Sequence, residues 1–519
     1  MSAFVEATPL EKFAPTALPK AGACVVVIFG ATGDLTKRKL IPALYDLACA
    51  DCTSKDFEVL GIGRTKMTSE DFRASLHEST AKSKDAHDFK EEAWKQFAAR
   101  IHYMVGDASD PAFFRDLAAK LEQMRQSGSS ANHLFYASIP SSLASPIVEG
   151  LGAAGLARNH QGWSRIVLEK PFGRDLRSAK ELNQMVSKVF AEEDIYRIDH
   201  YLGKETVQNI LVFRFGNSMF EPVWNRNYVE YVEITAAETL GVENRAAFYE
   251  ETGALRDMVA NHLLQLLTLT AMEPPVAFDA EAVREQKVQV LRSIRPMTPE
   301  DVAARTMRGQ YGPGMIDGRP VPGYRQEPGV NPQSNTETFA AAKFYVNNWR
   351  WEGVPFYARA GKRLGRPLTQ VAVHFKRTPQ ALFARTPAEL IEPNVVIMRI
   401  QPNEAISISF AAKTPGSRMQ ARTVQMEFSY QKAFGANAPV AYETLLLDAM
   451  RGDATLFTRR DEVEAEWQII TPIEEAWAQH PPSAFPNYAA GSDGPAPAEK
   501  LLASPHHWCA IAAHPKQPL

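Results

Sequence analysis

The strongest constraint on the fold is an alternation of short apolar runs with longer helical stretches between residues 24 and 170. Apolar, largely β-branched segments occur at residues 25–29, 59–62, 101–105, 134–137 and 166–168. Such continuously apolar strands, separated by stretches of helical periodicity, are typical of a parallel sheet that is covered on both faces. The pattern therefore predicts a doubly wound α/β domain, whose ligands bind beyond the carboxyl ends of the strands.

Beyond about residue 225, apolar and polar residues alternate one by one, which predicts antiparallel strands with one face in solvent. The alternating positions include Phe339; Val371, Val373 and Phe375; residues 395–399; Ile406, Ile408 and Phe410; and Val424, Met426 and Phe428. Residues 309–335 are rich in Gly and Pro, which predicts a long loop. We expect a Rossmann-like domain over residues 22–198 and a larger α+β domain with a mainly antiparallel sheet over residues 199–519.

Composition limits the classes of partner. The 519 residues carry a formal net charge of −3, so nucleic acid or an anionic membrane would not be attracted globally, and phosphate-binding cations must be placed locally. No segment approaches the roughly 20 consecutive apolar residues of a membrane helix. Residues 1–22 lack the apolar block of an export signal and are interpreted as a disordered leader. We therefore expect a cytoplasmic protein.

Four cysteines are too few for a disulfide framework. Cys49 and Cys52 have the CxxC spacing of a redox pair or of half a zinc site. Because no further ligands are suitably spaced to complete a zinc site, chance spacing at a helix end is the favoured interpretation. No metal is expected.

A candidate phosphate-binding turn follows the first predicted strand and opens a predicted helix. Its sequence is Gly30-Ala31-Thr32-Gly33-Asp34-Leu35, with Lys37 close behind. Glycines let a backbone approach a pyrophosphate, and free N–H groups at a helix start bind its charge. The motif departs from G-x-G-x-x-G, so an ordinary strand-to-helix turn is the alternative, but its place in the first βα unit favours dinucleotide binding.

The residue after the second predicted strand favours NADP over NAD. Enzymes that bind NAD usually end this strand with an acidic residue that binds the ribose 2′-hydroxyl. Here Gly63 is followed by Arg64, and an arginine pairs with a 2′-phosphate where a carboxylate would repel it. A solvated loop arginine is the alternative interpretation.

Two further segments place polar side chains at predicted element ends. Lys170, between Glu169 and Pro171, ends the fifth predicted strand, where it is either a ligand for a substrate oxygen or a surface lysine at a turn. The densest cluster, in residues 197–205, contains Asp199, His200, Tyr201 and Lys204. If a helix begins near His200, the imidazole, phenol and ammonium converge to clamp a phosphate monoester, whereas the alternative is a polar helix start.

A histidine lies within a predicted apolar helical stripe. Residues 252–267 have helical periodicity, and His262 falls on their apolar face. A core histidine with satisfied hydrogen bonds is the common reason for such a placement. A partly buried imidazole is also what a general base requires, especially if a carboxylate such as Asp199 orients it. The pattern leaves both interpretations open.

Taken together, GATGDL, EKPFG and RIDHYLGKE resemble the glucose-6-phosphate dehydrogenase family. The nonapeptide is highly specific, and further matching segments lie at residues 257–262, 334–339, 359–362 and 399–402. The resemblance runs from about residue 24 to residue 500. It implies an NADP-dependent enzyme that oxidises the C1 hydroxyl of glucose 6-phosphate to 6-phosphoglucono-1,5-lactone, the first step of the pentose phosphate pathway.

The resemblance also implies residue roles and assembly. His262 would take the proton of the C1 hydroxyl, and Asp199 would orient it and stabilise the imidazolium. The sugar phosphate would be held by Lys170, His200, Tyr201, Lys204, Glu238, Asp257, Lys362 and Gln401, with His200 and Lys204 at the phosphate and Glu238 and Asp257 at sugar hydroxyls. NADP would be held by Gly30, Ala31, Thr32, Gly33, Asp34, Leu35, Lys37, Arg64 and Lys170. The family implies a homodimer or homotetramer built on the antiparallel sheet.

One position departs from the family, and two rival functions are considered. Five positions after Lys362, where the family has a basic residue, this chain has Pro367 preceded by Arg366. The tail differs too much for a second, structural NADP site to be carried over. The rivals are another NADP-linked two-domain sugar oxidoreductase, which needs no phosphate clamp, and a dinucleotide-sensing protein without catalysis, against which Asp199 and His262 argue.

Overall fold

Two large sheets organise the described part of this computed structural model. That part comprises residues 4–6 and 19–511 without 84–85, 87, 141–142, 380–390, 417–418, 436–439 and 483. Within it, no helix combines the length and the apolar character that a membrane crossing requires.

The first sheet is parallel throughout and confirms the predicted doubly wound domain. In chain order, the first seven strands are β1 (Phe4–Glu6), β2 (Val25–Phe29), β3 (Glu58–Gly63), β4 (Ile101–Val105), β5 (His133–Ala137), β6 (Ser164–Glu169) and β7 (Ile195–Ile198). Strands β2 to β7 form the sheet in the order β4-β3-β2-β5-β6-β7. The order reverses between β2 and β5, where such sheets bind their ligands.

Helices cover both faces of this sheet, so β2 and β5 are buried along their whole length. The helices are α1 (Ile41–Cys49), α2 (Ser69–Ala81), α3 (Glu91–Ala98), α4 (Pro111–Gln126), α5 (Ala144–Ala153) and α6 (Leu176–Ser187), besides a π-helical turn at Thr36–Leu40. Strand β7 was not among the predicted strands. It ends directly before Asp199 and thereby brings that carboxylate to the carboxyl edge of the sheet.

The second sheet is mixed but mainly antiparallel, which confirms the predicted α+β domain. Besides β1, the second sheet contains β8 (Val229–Ala237), β9 (Thr306–Gly309), β13 (Phe339–Tyr345), β14 (Pro355–Gly361), β15 (Leu368–Phe375), β16 (Val395–Gln401), β17 (Ala405–Lys413) and β18 (Ala421–Ser429). Four short strands lie outside this sheet: β10 (Tyr311–Gly312), β11 (Gly314–Ile316), β12 (Arg319–Val321) and β19 (Tyr488–Ala489). The order is β1-β18-β17-β16-β15-β8-β14-β13-β9, and the pairs β1/β18 and β8/β14 are parallel.

Three sequence expectations about this region were wrong. Phe4–Glu6, expected in a disordered leader, pairs with β18. Residues 309–335, expected as a loop, contain the β11/β12 hairpin and β10, which pairs with β19. A solvent-exposed face was expected on the alternating segments, which include residues 371–375 and 395–399. Strand β16 does alternate, but nearly all of β15 is buried on both sides, as is its near neighbour β14. The reason is that helices cover one face while residues 496–511 cover the other.

The helices of the second half are α7 (Glu205–Phe215), α8 (Ala246–Ala254), α9 (Leu264–Ala271), α10 (Ala280–Arg292), α11 (Pro299–Arg305), α12 (Tyr430–Phe434), α13 (Ala441–Arg451) and α14 (Arg460–Gln479), with a π-helical segment at Leu255–Leu263. Helix α13 packs on α1, and its Leu445 and Leu446 are buried in the core of the first domain. Arg165 of β6 donates hydrogen bonds to the carbonyls of Ala449 and Met450, near the end of α13. The late helix is therefore part of the early domain's core.

Candidate active site

The predicted catalytic pair is in direct contact. Asp199 follows β7, His262 lies in the Leu255–Leu263 segment, and Nδ1 of His262 is 2.5 Å from Oδ1 of Asp199. Both side chains are buried. The backbone N–H of Tyr201 donates to the same carboxylate oxygen at 2.9 Å, which fixes the carboxylate against the ring. In the tautomer whose Nδ1 donates its proton to Asp199, Nε2 carries the lone pair and can accept a hydrogen bond.

The helix that carries His262 has a register the sequence did not predict. Leu255–Leu263 is π-helical rather than α-helical, so side chains five residues apart, such as Asp257 and His262, lie on one face. The segment begins after Gly253, where φ is 61° and a Cβ would approach Oε1 of Glu337 to 2.2 Å. Oε1 of Glu337 accepts the N–H of Leu255 at 3.1 Å. Residues 334–339 thus support the helix start.

Lys170 contacts both His262 and Asp257. It follows β6, precedes a cis bond to Pro171, and places Nζ 2.7 Å from Nε2 of His262. The same ammonium donates to the carbonyl of Asp257 at 2.9 Å and to its carboxylate at 3.2 Å. Donor atoms of Asp199, His200 and His262 lie close enough for a metal, but the Lys170 ammonium holds the imidazole lone pair that a metal would need.

The predicted phosphate clamp assembles, although its local structure differs from the prediction. His200–Gly203 form a turn, and α7 begins only at Glu205 with Lys204 as its N-cap. The donors therefore converge by folding back rather than by helical spacing. The rings of Tyr201 and His262 stack with centroids 4.0 Å apart, and the ring centroids of His200 and His262 are 4.6 Å apart. Nζ of Lys204 lies 4.4 Å from the centroid of the Tyr201 ring. Gln401 accepts a hydrogen bond from Lys204.

The remaining predicted ligands lie at the ends of the mixed-sheet strands. Glu238 follows β8, Lys362 follows β14, and these two side chains form an ion pair. The Lys362 ammonium also faces the ring of Tyr249 at 5.1 Å. All ten predicted catalytic and substrate positions therefore belong to one connected cluster, whose members come from both sheets and from the π-helical segment.

Burial and charge shift the ionisation of this cluster. Burial alone would raise the pKa of Asp257, but Lys170 and Lys362 lower it to about 2. Burial lowers the pKa of His262, against an opposing effect of Asp199, which favours the neutral imidazole. Burial also lowers the pKa of Lys204 to about 8. Burial and the neighbouring cationic groups lower the pKa of His200 well below its usual range.

The predicted dinucleotide turn lies at the carboxyl edge of the first sheet. Gly30 has φ 78°, and a Cβ there would lie 2.1 Å from the carbonyl oxygen of Ser138, so the chain requires glycine. The N–H of Gly33 donates to the carbonyl of Gly30 at 2.9 Å, and helical turns begin at Asp34. Arg64 is exposed directly after β3. The turn, the helix start and the arginine therefore fit a dinucleotide with a 2′-phosphate.

Some contacts were not predicted from sequence. Lys39 lies near enough to Lys204 to lower its pKa, which links the dinucleotide turn to the clamp. Half-buried Glu169, next to Lys170, accepts hydrogen bonds from Tyr136 at 2.5 Å and from Tyr442 of α13 at 3.1 Å. Short-range patterns give no sign of these contacts, because the partners are far apart in the chain.

The structure also locates Arg366 and the two cysteines of the CxxC pair. Arg366 is exposed and donates to the carbonyl of Ala510 at 3.0 Å, so it contacts the tail rather than the site. Cys49 is exposed at the end of α1, and Cys52 is buried; both are free thiols.

Comparison with known proteins decides the family. A profile described as "Glucose-6-phosphate dehydrogenase, NAD binding domain" matches residues 27–209, and one described as "Glucose-6-phosphate dehydrogenase, C-terminal domain" matches residues 211–509. The chain belongs to the glucose-6-phosphate dehydrogenase family. Membership confirms the predicted class, an NADP-dependent dehydrogenase of a sugar phosphate, and its cofactor.

Individual relatives extend over nearly the whole chain. The glucose-6-phosphate 1-dehydrogenase of Aggregatibacter actinomycetemcomitans is 47% identical over 93% of this chain and 96% of its own, and that of Bacillus subtilis is 42% identical over 94% and 98%. A solved glucose-6-phosphate dehydrogenase in complex with its substrate glucose 6-phosphate superposes with a TM-score of 0.84 at 34% identity, covering 94% of this chain and 98% of its own. The Mycobacterium avium enzyme gives a TM-score of 0.80 at 33% identity, covering 96% and 100%.

Proposed function

We propose that this chain oxidises glucose 6-phosphate with NADP⁺ to 6-phosphoglucono-1,5-lactone and NADPH. The observation that carries the proposal is the contact of His262 with Asp199 on one nitrogen and with Lys170 on the other, beside a cluster of groups suited to a phosphate. The substrate of the solved relative, glucose 6-phosphate, supports the assignment. This reaction would be the first step of the pentose phosphate pathway.

His262 is the general base of the proposed reaction. Its Nε2 lone pair accepts a proton, and in the proposal the C1 hydroxyl replaces the Lys170 ammonium as the donor to this atom. The carboxylate of Asp199 then stabilises the imidazolium through the 2.5 Å contact at Nδ1. The stacked ring of Tyr201 holds the imidazole plane. Lys170, already bound to Asp257, remains available to a sugar oxygen.

The dinucleotide turn and Arg64 hold the cofactor in this proposal. Residues 30–35 supply glycines and helix N–H groups for the pyrophosphate, Lys37 adds charge, and Arg64 pairs with the 2′-phosphate. NADP⁺ supplies the hydride acceptor when bound. Loss of the hydroxyl proton to His262 and of the C1 hydrogen as hydride leaves the lactone carbonyl, which balances the reaction.

The clamp positions the substrate. His200, Tyr201 and Lys204 are assigned to the phosphate, and Gln401 holds the Lys204 ammonium in place. Glu238, Asp257 and Lys362 are assigned to sugar hydroxyls, which carboxylates and ammonium groups bind as acceptors and donors. Holding the remote phosphate aligns C1 with the base, which is the main requirement of a reaction with one base and one hydride acceptor.

Three further predictions belong to the proposal. Domain limits of 22–198 and 199–519 are supported by the end of β7 at Ile198. A homodimer or homotetramer on the mixed sheet is supported by the partly exposed side chains of β17 and β18. A cytoplasmic location is supported by the low cysteine content.

A spectrophotometric assay that crosses NADP⁺ and NAD⁺ with glucose 6-phosphate, glucose and other sugars tests the function. We expect NADPH formation with glucose 6-phosphate and little turnover of free glucose, because the clamp requires a phosphate. Turnover of unphosphorylated sugars with equal efficiency would favour the rival oxidoreductase. Cofactor binding without turnover of any sugar would favour the sensor.

A further inference from the structure

The face of the mixed sheet that lies opposite its helices carries a thiol, an imidazole and a carboxylate that the proposed reaction does not use. Val232 and Ile234 of β8 pack into the main core, so Glu233 between them points to the opposite face. There it meets His374 of β15 and Cys509 of the carboxyl-terminal segment 496–511. One donor atom from each of these three residues lies within 4.8 Å of the other two.

One ring nitrogen of His374 lacks a hydrogen bond. The side chain is buried, and its Nε2 makes no hydrogen bond to any described residue. This nitrogen lies 3.8 Å from Oε2 of Glu233, beyond hydrogen-bonding reach. The ring is held in place by stacking on Tyr231, with centroids 4.0 Å apart and planes 10° apart. A buried polar atom left in this state costs free energy and indicates a missing partner.

Neighbouring groups orient the other two donors. Oε1 of Glu233 accepts from Thr235 at 3.0 Å and from Arg359 at 3.3 Å. The backbone N–H of Cys509 donates to both carboxylate oxygens, at 3.2 Å to Oε1 and at 2.9 Å to Oε2, and Oε2 also faces His374. A carboxylate bound through one oxygen and hydrogen-bonded through the other is the usual arrangement at a metal. The carbonyl of Cys509 also accepts from Arg359, which fixes the tail beside the carboxylate.

We propose that Glu233, His374 and Cys509 bind a Zn²⁺ ion. One thiolate, one imidazole and one carboxylate are common zinc ligands, with bonds of about 2.0–2.3 Å, so tetrahedral ligands lie roughly 3.5 Å apart. The present donors need to approach by about an ångström. On binding, the thiol proton of Cys509 leaves to solvent and a Zn–S bond forms, without any change of oxidation state. Water fills the fourth position, and Cys509, which is partly exposed, offers the route of entry.

The site would fasten the tail to the strands that lead into the catalytic cluster. Strand β8 continues into Glu238, and Thr369 of β15 faces the Tyr201 hydroxyl at 3.4 Å. A metal that binds the folded protein stabilises it by mass action. The proposed ion is assigned the holding of the tail on the sheet, and it lies apart from the reacting groups.

Alkylation of the unmodified full-length protein provides the first test. After treatment with a chelator, the protein is labelled with iodoacetamide in the absence and presence of ZnCl₂, and the labelled cysteines are identified by mass spectrometry. We expect zinc to slow the labelling of Cys509 at least about tenfold, because the thiolate is coordinated, and to leave the exposed Cys49 unaffected. Equal labelling of Cys509 in both conditions would overturn the proposal.

Calorimetric titration of ZnCl₂ provides the second test and separates this site from the catalytic cluster. We expect one ion per chain, with affinity lowered about a hundredfold or more in Cys509→Ser and in His374→Gln. Cys49→Ser and His262→Asn serve as controls and should keep the stoichiometry. Dehydrogenase activity reports whether the Cys509 and His374 variants have folded. Binding that is lost in His262→Asn, or unchanged in Cys509→Ser, would refute the assignment.

Discussion

The cofactor turn and the substrate pocket meet near the same sheet edge but are built differently. The turn is one continuous stretch of backbone, residues 30–37, and Arg64, the side chain proposed to select the cofactor, is exposed. The proposed substrate pocket gathers side chains from distant parts of the chain, and six of its ten members form three ion pairs, each with at least one buried partner. We expect substitutions on the cofactor side to change affinity and selectivity, and substitutions in the pocket to change the chemistry or the binding of the sugar.

The largest effect is expected from His262→Ala. Loss of the general base should lower kcat about 10²- to 10⁴-fold, with little change in the affinity for NADP⁺. Steady-state kinetics with both substrates measure this, and His77→Ala, at an exposed histidine of α2, is the matched control. Retained turnover in His262→Ala would remove the contrast between the two regions.

Lys204→Ala should act on substrate affinity. A hydrogen bond to a charged group contributes about 1.5–3 kcal/mol, so the KM for glucose 6-phosphate should rise about 10- to 100-fold while kcat changes less. Gln401→Ala, which removes only the side chain that holds the ammonium, should have a smaller effect in the same direction. A loss confined to kcat would contradict a phosphate clamp.

Arg64→Ala should sharpen the comparison from the cofactor side. The KM for NADP⁺ should rise about tenfold, because the 2′-phosphate loses its charged partner, while the KM for NAD⁺ stays nearly constant. Parallel titrations of the two cofactors with one preparation make NAD⁺ the internal control. Equal weakening of both would show that Arg64 does not read the 2′-phosphate.

The smallest effect concerns pH. In the proposed clamp Lys204 binds phosphate as an ammonium. Burial lowers the pKa of Lys204 to about 8, so the charge is present below this pH and is lost above it. The KM for glucose 6-phosphate should therefore rise by about fivefold between about pH 8 and about pH 9. Lys204→Arg keeps its charge and should give a flat profile in this range. A wild-type KM that is constant to pH 9 would place the ammonium elsewhere in the binding scheme.

Five strands of the first sheet, β2 to β6, were predictable because each contains a short apolar run bounded by local turn signals. Strand β7 was missed because its four residues, Ile195–Ile198, run directly into a polar cluster. The π-helical register of Leu255–Leu263 was missed because apolar residues in a short window match an α-helical stripe equally well. The carboxylate that accepts the first N–H of this segment belongs to Glu337, which lies outside any local window.

The members of the candidate cluster could be named from the sequence, but their geometry could not. Motifs named Asp199, Lys170 and His262, but the bridging of Asp257 and His262 by one ammonium depends on the three-dimensional path of the chain. The covering of β14 and β15 by residues 496–511 was equally hidden, because it depends on a segment more than a hundred residues later in the chain.

The packing of α13 on α1 has a consequence for biosynthesis. Apolar residues of the early helix that rest against Leu445 and Leu446 stay uncovered on the ribosome until nearly the whole polypeptide has emerged. Nascent chains expose such surfaces to aggregation or to chaperones. A truncated amino-terminal half should therefore aggregate and give a low yield of soluble protein on its own. Co-expression of a peptide spanning α13 should restore that yield.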